Sequence, residues 1–578
     1  MVLKYNKNNN NLLFKTLENN LEDICNIQNY IPIYNIFFNL NNNNYNLINL
    51  NDDLTLKEIT NKIDDNIFQA KILNDSNIQN KKIFLKYSPL LDPHKFVLGK
   101  YRNNISSIKL PSLNYNKNEI NNKLNDPNNS AYVDGFFSYL TSKLLNQFNF
   151  INGIQHYGSF IGFKKNFTFE ITDDIDTMIE SDYFNDNYGE LFETKNNLLI
   201  KNNYTKKYKQ KINIIDTDIS FNILYDETLY DTYNDNFNDL SNNIDTIFNY
   251  NIETKNNISK SSSNCSSRSS NTTIDTYIDD IEEDGYEDEE DEEEEEEEDE
   301  EEDEDEEDEE EDEEEDEEED EEEDEEEFFL KIKDKFPVNI ISLEKCDNTL
   351  DHFLTNNDIS EEELESLIIQ ILMTLITYQE TFNLTHNDLH TNNIMYVNTE
   401  LTHITYKYNN NYYNVPTFGK IFKIIDYGRA IYKFKNNLIC SDSFYKNGDA
   451  ATQYNFGCFY NKKKKLIEPN FSFDLCRLSC CLYDNIIENN KLDYNKNNIY
   501  NIITDWCNDD DGNNIIYKKN GEERYPDFKL YKMITRKVNK HVPKDVINHN
   551  LFKKYIISVY NNLNIVDIDK IINFFKNE

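Results

Sequence analysis

Two short stretches of the sequence place oxygen-bearing side chains at spacings that suit phosphate chemistry. In LTHNDLHTNNIMYV (384–397), Asp388 precedes Asn393 by five positions, and His386 and His390 flank the aspartate. The second stretch, GKIFKIIDYGRA, is an apolar run that reaches Asp426. The oxygens of Asp426 and Asn393 are hard ligands suited to magnesium, and a carboxylate at Asp388 could accept or orient a hydroxyl that attacks a γ-phosphate. Together the two stretches predict phosphoryl transfer.

A packed helix is predicted directly before the first stretch and would hold it in place. Ser360 as N-cap and Glu363 three positions later form a capping-box pattern. Apolar residues then recur at helical spacing at Leu364, Leu367, Ile368, Ile371, Leu372, Leu375 and Ile376. A polar loop anchored by a packed helix is a common way of fixing reactive side chains.

Further elements are predicted on both sides of this region. NIFQAKIL and KKIFLKYS form a β-hairpin pattern, SAYVDGFFSYLTSKLLNQF (130–148) has helical spacing, and INGIQHYGSFIGF (151–163) has strand character. FFLKIKDKFPVNIISLEKCDNTLDHFL predicts a strand followed by a polar crossover. The long interval between Asn393 and Asp426 predicts a hairpin through YKYNNNYYNVPTFGK. The Asn runs of the first 50 residues predict partial disorder.

The formal net charge of −51 belongs mostly to one segment. Residues 287–327 are all Glu or Asp and hold 41 of the 109 acidic residues, so the rest of the chain has only ten more acidic than basic residues. Adjacent carboxylates repel one another and supply no apolar surface to offset the entropy of ordering. We expect a solvated insert there, a candidate contact for basic proteins, and the charge indicates no nucleic-acid partner.

Cysteine usage and hydropathy narrow the class of protein. Nine Cys residues without a Cys-x-x-Cys pair argue against a zinc site or a disulfide framework and favour a reducing compartment. The N-terminus lacks the apolar core of a signal peptide, and the longest apolar stretch, LIIQILMTLIT, is too short to span a bilayer. The sequence predicts a soluble, intracellular protein without membrane association.

Taken in chain order, the motifs resemble those of the protein-kinase-like superfamily, whose catalytic loop reads H-R-D-L-x-x-x-N and whose metal loop reads D-F-G. The matching segments are IFLKY, HNDLHTNN, IIDYG and SFDLCRL. GDAATQYNF and EERYPDFKLYKMITR resemble segments of serine/threonine-protein kinases of large nucleocytoplasmic DNA viruses. The resemblance covers about residues 55–165 and 335–560. It implies location in the host cytoplasm or in the virion.

The resemblance implies an α+β, two-lobed protein-kinase-like fold with a long disordered acidic insertion in the N-lobe. The expected organisation is an Asn-rich N-terminal extension (1–54), the first part of the N-lobe (55–165), an insertion with Ser-rich and Glu/Asp-rich tracts (166–335), the hinge and C-lobe (336–565) and a C-terminal tail (566–578).

The resemblance also implies an activity and its residues: transfer of the γ-phosphate of ATP, with Mg²⁺, to a Ser or Thr hydroxyl of an unidentified protein substrate. Asp388 resembles the catalytic aspartate, Lys86 the lysine that pairs with the α- and β-phosphates, and Asn393 and Asp426 the magnesium ligands.

Four further positions are implied in supporting roles. The backbone from Glu344 to Cys346 resembles the hinge that holds adenine. Asp474 resembles the buried aspartate that accepts hydrogen bonds from the catalytic-loop backbone, and His386 is expected to brace that loop by packing.

Departures from the pattern keep two alternatives open. Thr60, Lys62 and Asp65 stand where the glycines of a phosphate-binding loop would be, and Asp134 is the only acid in the helix expected to pair with Lys86, near its start. The partner of Lys86 is therefore left unassigned. These departures motivate the first alternative, a pseudokinase that serves as a binding scaffold.

The second alternative is a small-molecule kinase. Asn387 replaces the Arg that pairs with an activation-loop phosphate in many kinases, so switching of that type is not expected. His390 replaces a common lysine, which gives the loop a resemblance to haspin-like and aminoglycoside-phosphotransferase-like enzymes, and no A-P-E triplet follows the metal loop. His390 is left undecided between substrate contact and scaffold.

Overall fold

The computed structural model describes residues 3, 5–7, 10–21, 23–50, 54–74, 76–102, 108–115, 117–172, 174–194, 328–488, 498–558 and 565–576. The chain divides into two compact units. All described residues belong to the first unit, which consists of residues 1–195 together with residues 263–578. The Ser-rich stretch, the run of 41 acidic residues and their predicted disorder lie outside the described residues. The chain has an α+β fold.

The strands, in chain order, are β1 Tyr5–Lys7, β2 Ile24–Gln28, β3 Ile48–Leu50, β4 Leu54–Asp64, β5 Ile67–Asn74, β6 Asn77–Pro89, β7 His156–Lys164, β8 Phe167–Glu170, β9 Phe192–Thr194, β10 Phe329–Ile332, β11 Phe336–Glu344, β12 Asn348–Thr349, β13 Ile394–Asn398, β14 His403–Tyr408, β15 Asn411–Pro416, β16 Lys420–Ile424, β17 Ile431–Phe434, β18 Asn437–Cys440, β19 Ile556–Ile557 and β20 Ile565–Asp567.

The helices are α1 Asn11–Asn20, α2 Pro93–Val97, α3 Glu119–Asn125, α4 Ser130–Phe148, α5 Ile175–Glu180, α6 Asp182–Asn187, α7 Leu350–Asn356, α8 Glu361–Phe382, α9 Phe473–Leu482, α10 Ile499–Trp506, α11 Phe528–Lys537, α12 Pro543–Val546 and α13 Ile568–Lys576. No helix among the described residues is both long and apolar enough to cross a membrane.

A six-stranded antiparallel sheet in the order β2-β7-β11-β6-β5-β4 forms the centre of the first part of the molecule. The predicted hairpin is confirmed as β5 and β6, whose pairing runs from Ile67 opposite Phe84 to Asn74 opposite Asn77. Alternation in β6 buries Ile83 and Leu85 on one face, which places Lys86 on the opposite face.

Helix α4 packs on this sheet and has the bounds that the sequence predicts. Asn129 caps it, because its side-chain oxygen accepts a hydrogen bond from the Ala131 amide. Every residue from Ala131 to Leu144 is buried, so α4 is covered on all sides rather than along one stripe. The left-handed backbone of Asn149 (φ 56°) ends the helix.

The prediction of disorder in the Asn-rich first 50 residues is wrong for the part that the structure describes. Strand β2 extends the six-stranded sheet by pairing with β7, and α1 buries Leu13, Phe14 and Leu17. The prediction treated the polar Asn side chains as evidence of disorder. Several of them are instead hydrogen-bonded inside the fold. Asn29, which is fully buried, accepts from Asn49 at 3.1 Å.

The expected insertion, residues 166–335, has folded flanks on both sides of the residues that are not described. β8, α5, α6 and β9 lead up to residue 194, and β10 follows at Phe329–Ile332. β10 lies between β8 and β9 in a three-stranded sheet, with Leu330 paired to Thr194. The chain therefore returns beside the place where it leaves.

Mostly helical structure follows β11. Helix α8 spans 22 residues and begins as predicted, since the Ser360 hydroxyl accepts from the Glu363 amide at 3.2 Å. The Ser360 half of the predicted capping box is therefore present. The Glu363 side chain instead pairs with Lys420 at 3.4 Å. The helix ends at Asn383 (φ 51°), directly before the stretch that holds Asp388. β13 follows the loop that holds Asp388, and β16 leads to Asp426. These two strands pair antiparallel.

The predicted hairpin between Asn393 and Asp426 is confirmed as β14 and β15. These strands join the C-terminal part of the chain in a four-stranded sheet of order β19-β15-β14-β20. The cysteines whose side chains the structure describes are free thiols, namely Cys25, Cys346, Cys440, Cys476, Cys480, Cys481 and Cys507.

Candidate functional site

Lys86 connects two carboxylates that come from distant parts of the chain. Its Nζ atom lies 2.8 Å from Asp134 Oδ2 on α4 and 2.8 Å from Asp426 Oδ1 after β16. Burial alone would lower the pKa of Lys86, but the two carboxylates outweigh it and the pKa is raised, so the ammonium stays charged. The structure thus brings Lys86 and Asp426 together, as expected for residues of one site. It also shows that Asp134 is the acid that pairs with Lys86.

Asp134 is the partner of Lys86 that the sequence left unassigned. Its early position in α4 is suitable because the N-terminal part of the helix, including Asp134, faces β6 and the loop after β16. Oδ1 of Asp134 accepts from the Tyr427 amide at 3.0 Å while Oδ2 binds Lys86. One buried carboxylate therefore joins α4, β6 and the Asp426 segment.

The backbone at Asp426 is left-handed (φ 62°), a region that Asp adopts more easily than most residues. The next side chain, Tyr427, is fully buried, its ring centroid 4.5 Å from that of Phe137 on α4. Its hydroxyl donates to the Ile424 carbonyl at 2.7 Å. Burial by itself would raise the pKa of Asp426, but Lys86 outweighs it and keeps this pKa below its ordinary value. Asp426 is thus held as a carboxylate.

The loop 385–393 is fixed by the buried carboxylate of Asp474 at the start of α9. Asp474 accepts from the His386 amide at 3.1 and 2.9 Å and from the Asn387 amide at 3.0 Å. The His386 ring is fully buried and its Nε2 lies 2.9 Å from the Ile425 carbonyl, directly before Asp426. The contacts expected of Asp474 and His386 are present, and they tie the loop to the Asp426 segment.

Asp388 lies in this loop among positive and hydrogen-bonding groups. Tyr531 of α11 donates its hydroxyl to Asp388 Oδ1 at 2.8 Å, and Arg429 Nη1 is 3.6 Å from the same oxygen. Burial would raise the pKa of Asp388, but Arg429 and other positive groups outweigh it and the pKa is lowered. Arg429 is itself held by Asp449 through contacts of 3.0 and 2.8 Å. Asp388 is therefore a charged, oriented carboxylate.

Asn393 is oriented by Asp388 and His390. Its Nδ2 donates to the Asp388 carbonyl at 2.9 Å and lies 3.0 Å from His390 Nε2. Because Nδ2 can only donate, His390 accepts through Nε2 and carries its proton on Nδ1. Burial lowers the pKa of His390 to about 4, which keeps the ring neutral. We interpret His390 as scaffold, since it turns the Asn393 oxygen away from the loop.

Asp426 and Asn393 each have one side-chain oxygen that is suited to a magnesium ion bound also by nucleotide phosphates. Lys86 and the Gly428 amide both contact Asp426 Oδ1, and both contacts of Asn393 use its nitrogen. Asp426 Oδ2 and Asn393 Oδ1 thus have no protein partner among the described residues. That part of the chain contains no cluster of three His, Cys, Asp or Glu side chains suited to a metal. Magnesium does not require one, because it is usually held by one or two protein oxygens plus phosphates and water.

The segment Glu344–Cys346 joins β11 to the helical part of the molecule. The Glu344 side chain is held at Oε1 by Lys423 Nζ (2.6 Å) and by the Gln155 amide (2.7 Å), so it supports the segment. Cys346 is buried in an apolar cluster with Ile154, Ile341 and Leu343, against which Met395 and Ile425 pack. Met395 and Ile425 are only partly buried, so the apolar cluster reaches the molecular surface beside the end of β11.

The segment in place of a glycine-rich loop is a hairpin formed by β4 and β5. Thr60 and Lys62 lie in β4, and Asp65 lies in the turn with Asn66 (φ 58°). Lys62 Nζ is 2.6 Å from Asp65 Oδ1, and both side chains are largely exposed. The Thr60 hydroxyl donates to the Gln69 carbonyl at 3.0 Å. The hairpin thus presents a lysine and an aspartate where glycines were expected.

Sequence analysis missed three residues of this site. Arg429 directly follows the Asp-Tyr-Gly motif, so its position was a usable signal. Tyr531 lies 143 residues after Asp388, in a quoted segment that received no role, and Lys423 lies 79 residues after its partner Glu344. No local pattern marks contacts over such distances.

Comparison with known proteins gives no further guidance: no family model matches the chain, and no curated protein matches it.

Proposed function

We propose that this protein is an ATP-dependent phosphotransferase with a two-lobed protein-kinase-like fold, acting as a serine/threonine-protein kinase with Mg²⁺. One observation carries the proposal. Lys86 lies 2.8 Å from both Asp134 and Asp426, while Asp388 and Asn393 lie on a loop tied to the same segment. Chance polar turns would not be expected to place these residues together.

The arrangement of elements supports the same proposal. β4, β5, β6, β11 and β7 with α4 would form the N-lobe, Glu344–Cys346 the hinge, and the part from α7 onward the C-lobe. The backbone of the hinge would hold adenine beside the apolar cluster around Cys346. The proposal includes a viral origin of the chain and a location in the host cytoplasm or in the virion.

In the proposed mechanism the residues act mainly by positioning and by charge. Lys86 would bind the α- and β-phosphates, and Asn393 and Asp426 would hold magnesium, which neutralises charge that develops on the phosphates. Asp388 would orient the acceptor hydroxyl through Oδ2, because Oδ1 is bound by Tyr531. Holding the two reactants in line supplies most of the acceleration.

Substitution of Asp388 by Ala tests the proposal. We expect the variant to bind Mg-ATP as the parent does, because the phosphate- and metal-binding residues are unchanged. Transfer of labelled γ-phosphate to Ser- and Thr-containing protein acceptors should fall by about a hundredfold or more. Asp511→Ala, at an exposed position, is the control and should transfer phosphate at the parent's rate. Equal transfer by parent and Asp388→Ala would exclude the proposed role.

The same measurements separate the two alternatives. A pseudokinase scaffold would show no Mg-ATP binding or no transfer to any acceptor. A small-molecule kinase would bind Mg-ATP and phosphorylate small hydroxyl compounds but not proteins. The Lys86–Asp134 pair removes one argument for a pseudokinase, and the contact of His390 with Asn393 removes one argument for a small-molecule acceptor.

A further inference from the structure

A segment after β18 binds the start of helix α4 through the carboxylate of Asp442. Asp442 Oδ1 accepts from the Ser130 amide at 2.9 Å, and Oδ2 lies 2.7 Å from Lys123 Nζ. The Asp442 amide in turn donates to the Asn128 carbonyl at 2.8 Å. One residue thus makes three contacts with a short stretch more than 300 positions earlier in the chain.

Two neighbouring contacts strengthen the same junction. The Tyr445 hydroxyl donates to Asp126 Oδ2 at 2.7 Å, and Lys95 Nζ donates to the Asn447 carbonyl at 2.6 Å. The segment 442–447 is therefore attached to the region before α4 at several points. A single crossing contact could be incidental, but a group of them defines the position of one element on the other.

The charges at this junction are matched. Asp442 is buried, with 4% of its surface exposed, and a buried carboxylate is stable only when it is paired or hydrogen-bonded. Lys123 supplies the opposite charge, and the N-terminus of α4 supplies an amide and the positive end of the helix dipole. Burial alone would lower the pKa of Lys123, but Asp442 outweighs it and the pKa is raised. Lys123 therefore stays charged, whereas burial raises the pKa of Asp442 although Lys123 and the Ser130 amide oppose it.

Helix α4 transmits this contact to the candidate site. Asp134, which binds Lys86 and the Tyr427 amide, lies one helical turn beyond Ser130. Between them the helix is buried and regular, so the position of its first turn determines where the Asp134 carboxylate lies. A small rotation of α4 would separate Asp134 from Lys86.

We propose that Asp442 is a positioning residue that holds α4 so that Asp134 meets Lys86. The anion is a side chain of the protein itself, so the junction forms without covalent modification. This inference rests on the proposed function for the binding of Mg-ATP, but not for phosphate transfer or for hydrogen exchange in α4. The effects on α4 and on nucleotide binding can be measured whether or not transfer occurs.

The test uses Asp442→Asn and Lys123→Met in the full-length protein. We expect amide hydrogen exchange in residues 131–144 to be faster in both variants than in the parent. The Kd for Mg-ATP should rise roughly fivefold to thirtyfold, the equivalent of about 1–2 kcal/mol. Asp442→Glu, which keeps the charge, should recover most of the affinity. Lys407→Met removes the ion pair with Asp567, 3.1 Å long and outside this junction, and should change neither measurement.

A double-mutant cycle with Asp134→Asn separates positioning from general destabilisation. If Asp442 acts through Asp134, Asp442→Asn should weaken Mg-ATP binding much less in the Asp134→Asn background than in the parent. Unchanged affinity in Asp442→Asn and Lys123→Met, or fully additive effects in the cycle, would overturn the inference. A parent protein that binds Mg-ATP but transfers no phosphate would instead contradict the proposed function and leave this test intact.

Discussion

The two carboxylate oxygens of Asp388 have different surroundings. Tyr531 and Arg429 both approach Oδ1, whereas Oδ2 has no protein partner among the described residues. The Tyr531 hydroxyl also accepts from Arg477 Nε at 3.0 Å, and both side chains are fully buried. Tyr531 thus fixes the rotation of the carboxylate and leaves Oδ2 open, as the proposed role of Asp388 requires.

We expect Tyr531→Phe to lower kcat about tenfold or more, because it removes a hydrogen bond to a charged group, worth about 1.5–3 kcal/mol. The KM for ATP should stay unchanged, since Tyr531 contacts neither Lys86 nor Asp426. The rates should be corrected for the folded fraction, because the variant also removes the hydrogen bond that Arg477 Nε donates to this hydroxyl. Tyr525→Phe is the matched control, as its buried hydroxyl accepts from Lys537 at 3.1 Å. Equal kcat for parent and Tyr531→Phe would show that this hydroxyl has no role in transfer.

Sequence reasoning reached those site residues that lie within short motifs. The spacing of polar residues points to Asp388, Asn393 and Asp426, whereas Asp474 and Lys86 are implied only by the resemblance of their segments to those of protein kinases. Asp134 was seen but left open, since only packing determines which face of α4 meets β6. Tyr531 could not have been found, because its role depends on how α11 packs.

Helix α8 is the element that holds the loop 385–393 from its N-terminal side. It is buried over most of its length and begins at a cap that the sequence predicts. The Ser360 hydroxyl satisfies one of the amides that an α-helix leaves without an internal partner. Stability at this end therefore depends in part on a single side chain.

Substitution of Ser360 by Ala should lower the free energy of unfolding by about 1 kcal/mol. Urea denaturation should show a lower midpoint with an unchanged slope, since the surface exposed on unfolding stays the same. Asp358→Ala changes an exposed residue just before the cap and should leave the free energy of unfolding within about 0.5 kcal/mol of the parent's. No difference between the two variants would mean that water replaces the cap without cost.

Elements were predictable where a local pattern determines them. The bounds of α4 and the start of α8 agree with prediction because caps and helical periodicity are read over a few residues. The sheet of β8, β10 and β9 was not predicted. Its strands are short, and β10 pairs with partners more than 130 residues earlier in the chain. Pairing over such separations depends on the fold as a whole.

Stability of the whole molecule should depend on pH through His156. This side chain is buried at the start of β7, with Nε2 2.7 Å from the Ser159 hydroxyl, and burial lowers its pKa to about 3. In the unfolded chain the pKa of this histidine is about 6.5. Between about pH 3 and pH 6.5 the unfolded state therefore holds more protons than the folded state. Stability is therefore full above pH 6.5 and falls as the pH is lowered from there.

We expect the parent to lose up to about 1.4 kcal/mol per pH unit below pH 6.5 from this residue alone. His156→Gln can keep the contact with Ser159 but cannot titrate, so its stability should fall less steeply. The difference between the urea midpoints of parent and variant, measured from pH 7.5 to pH 5, isolates the contribution. Parallel curves for the two proteins would show that His156 does not titrate with folding.

The pairing of Thr194 with Leu330 has a practical consequence for the architecture. Neighbouring antiparallel strands lie only about 5 Å apart, so the residues between them form a cassette whose two ends nearly touch. Such a place is a natural graft point, because a reporter domain with adjacent termini could replace residues 195–327 without stretching the scaffold. The cassette carries the whole acidic run, so exchanging it would give a nearly neutral protein with its candidate site unaltered.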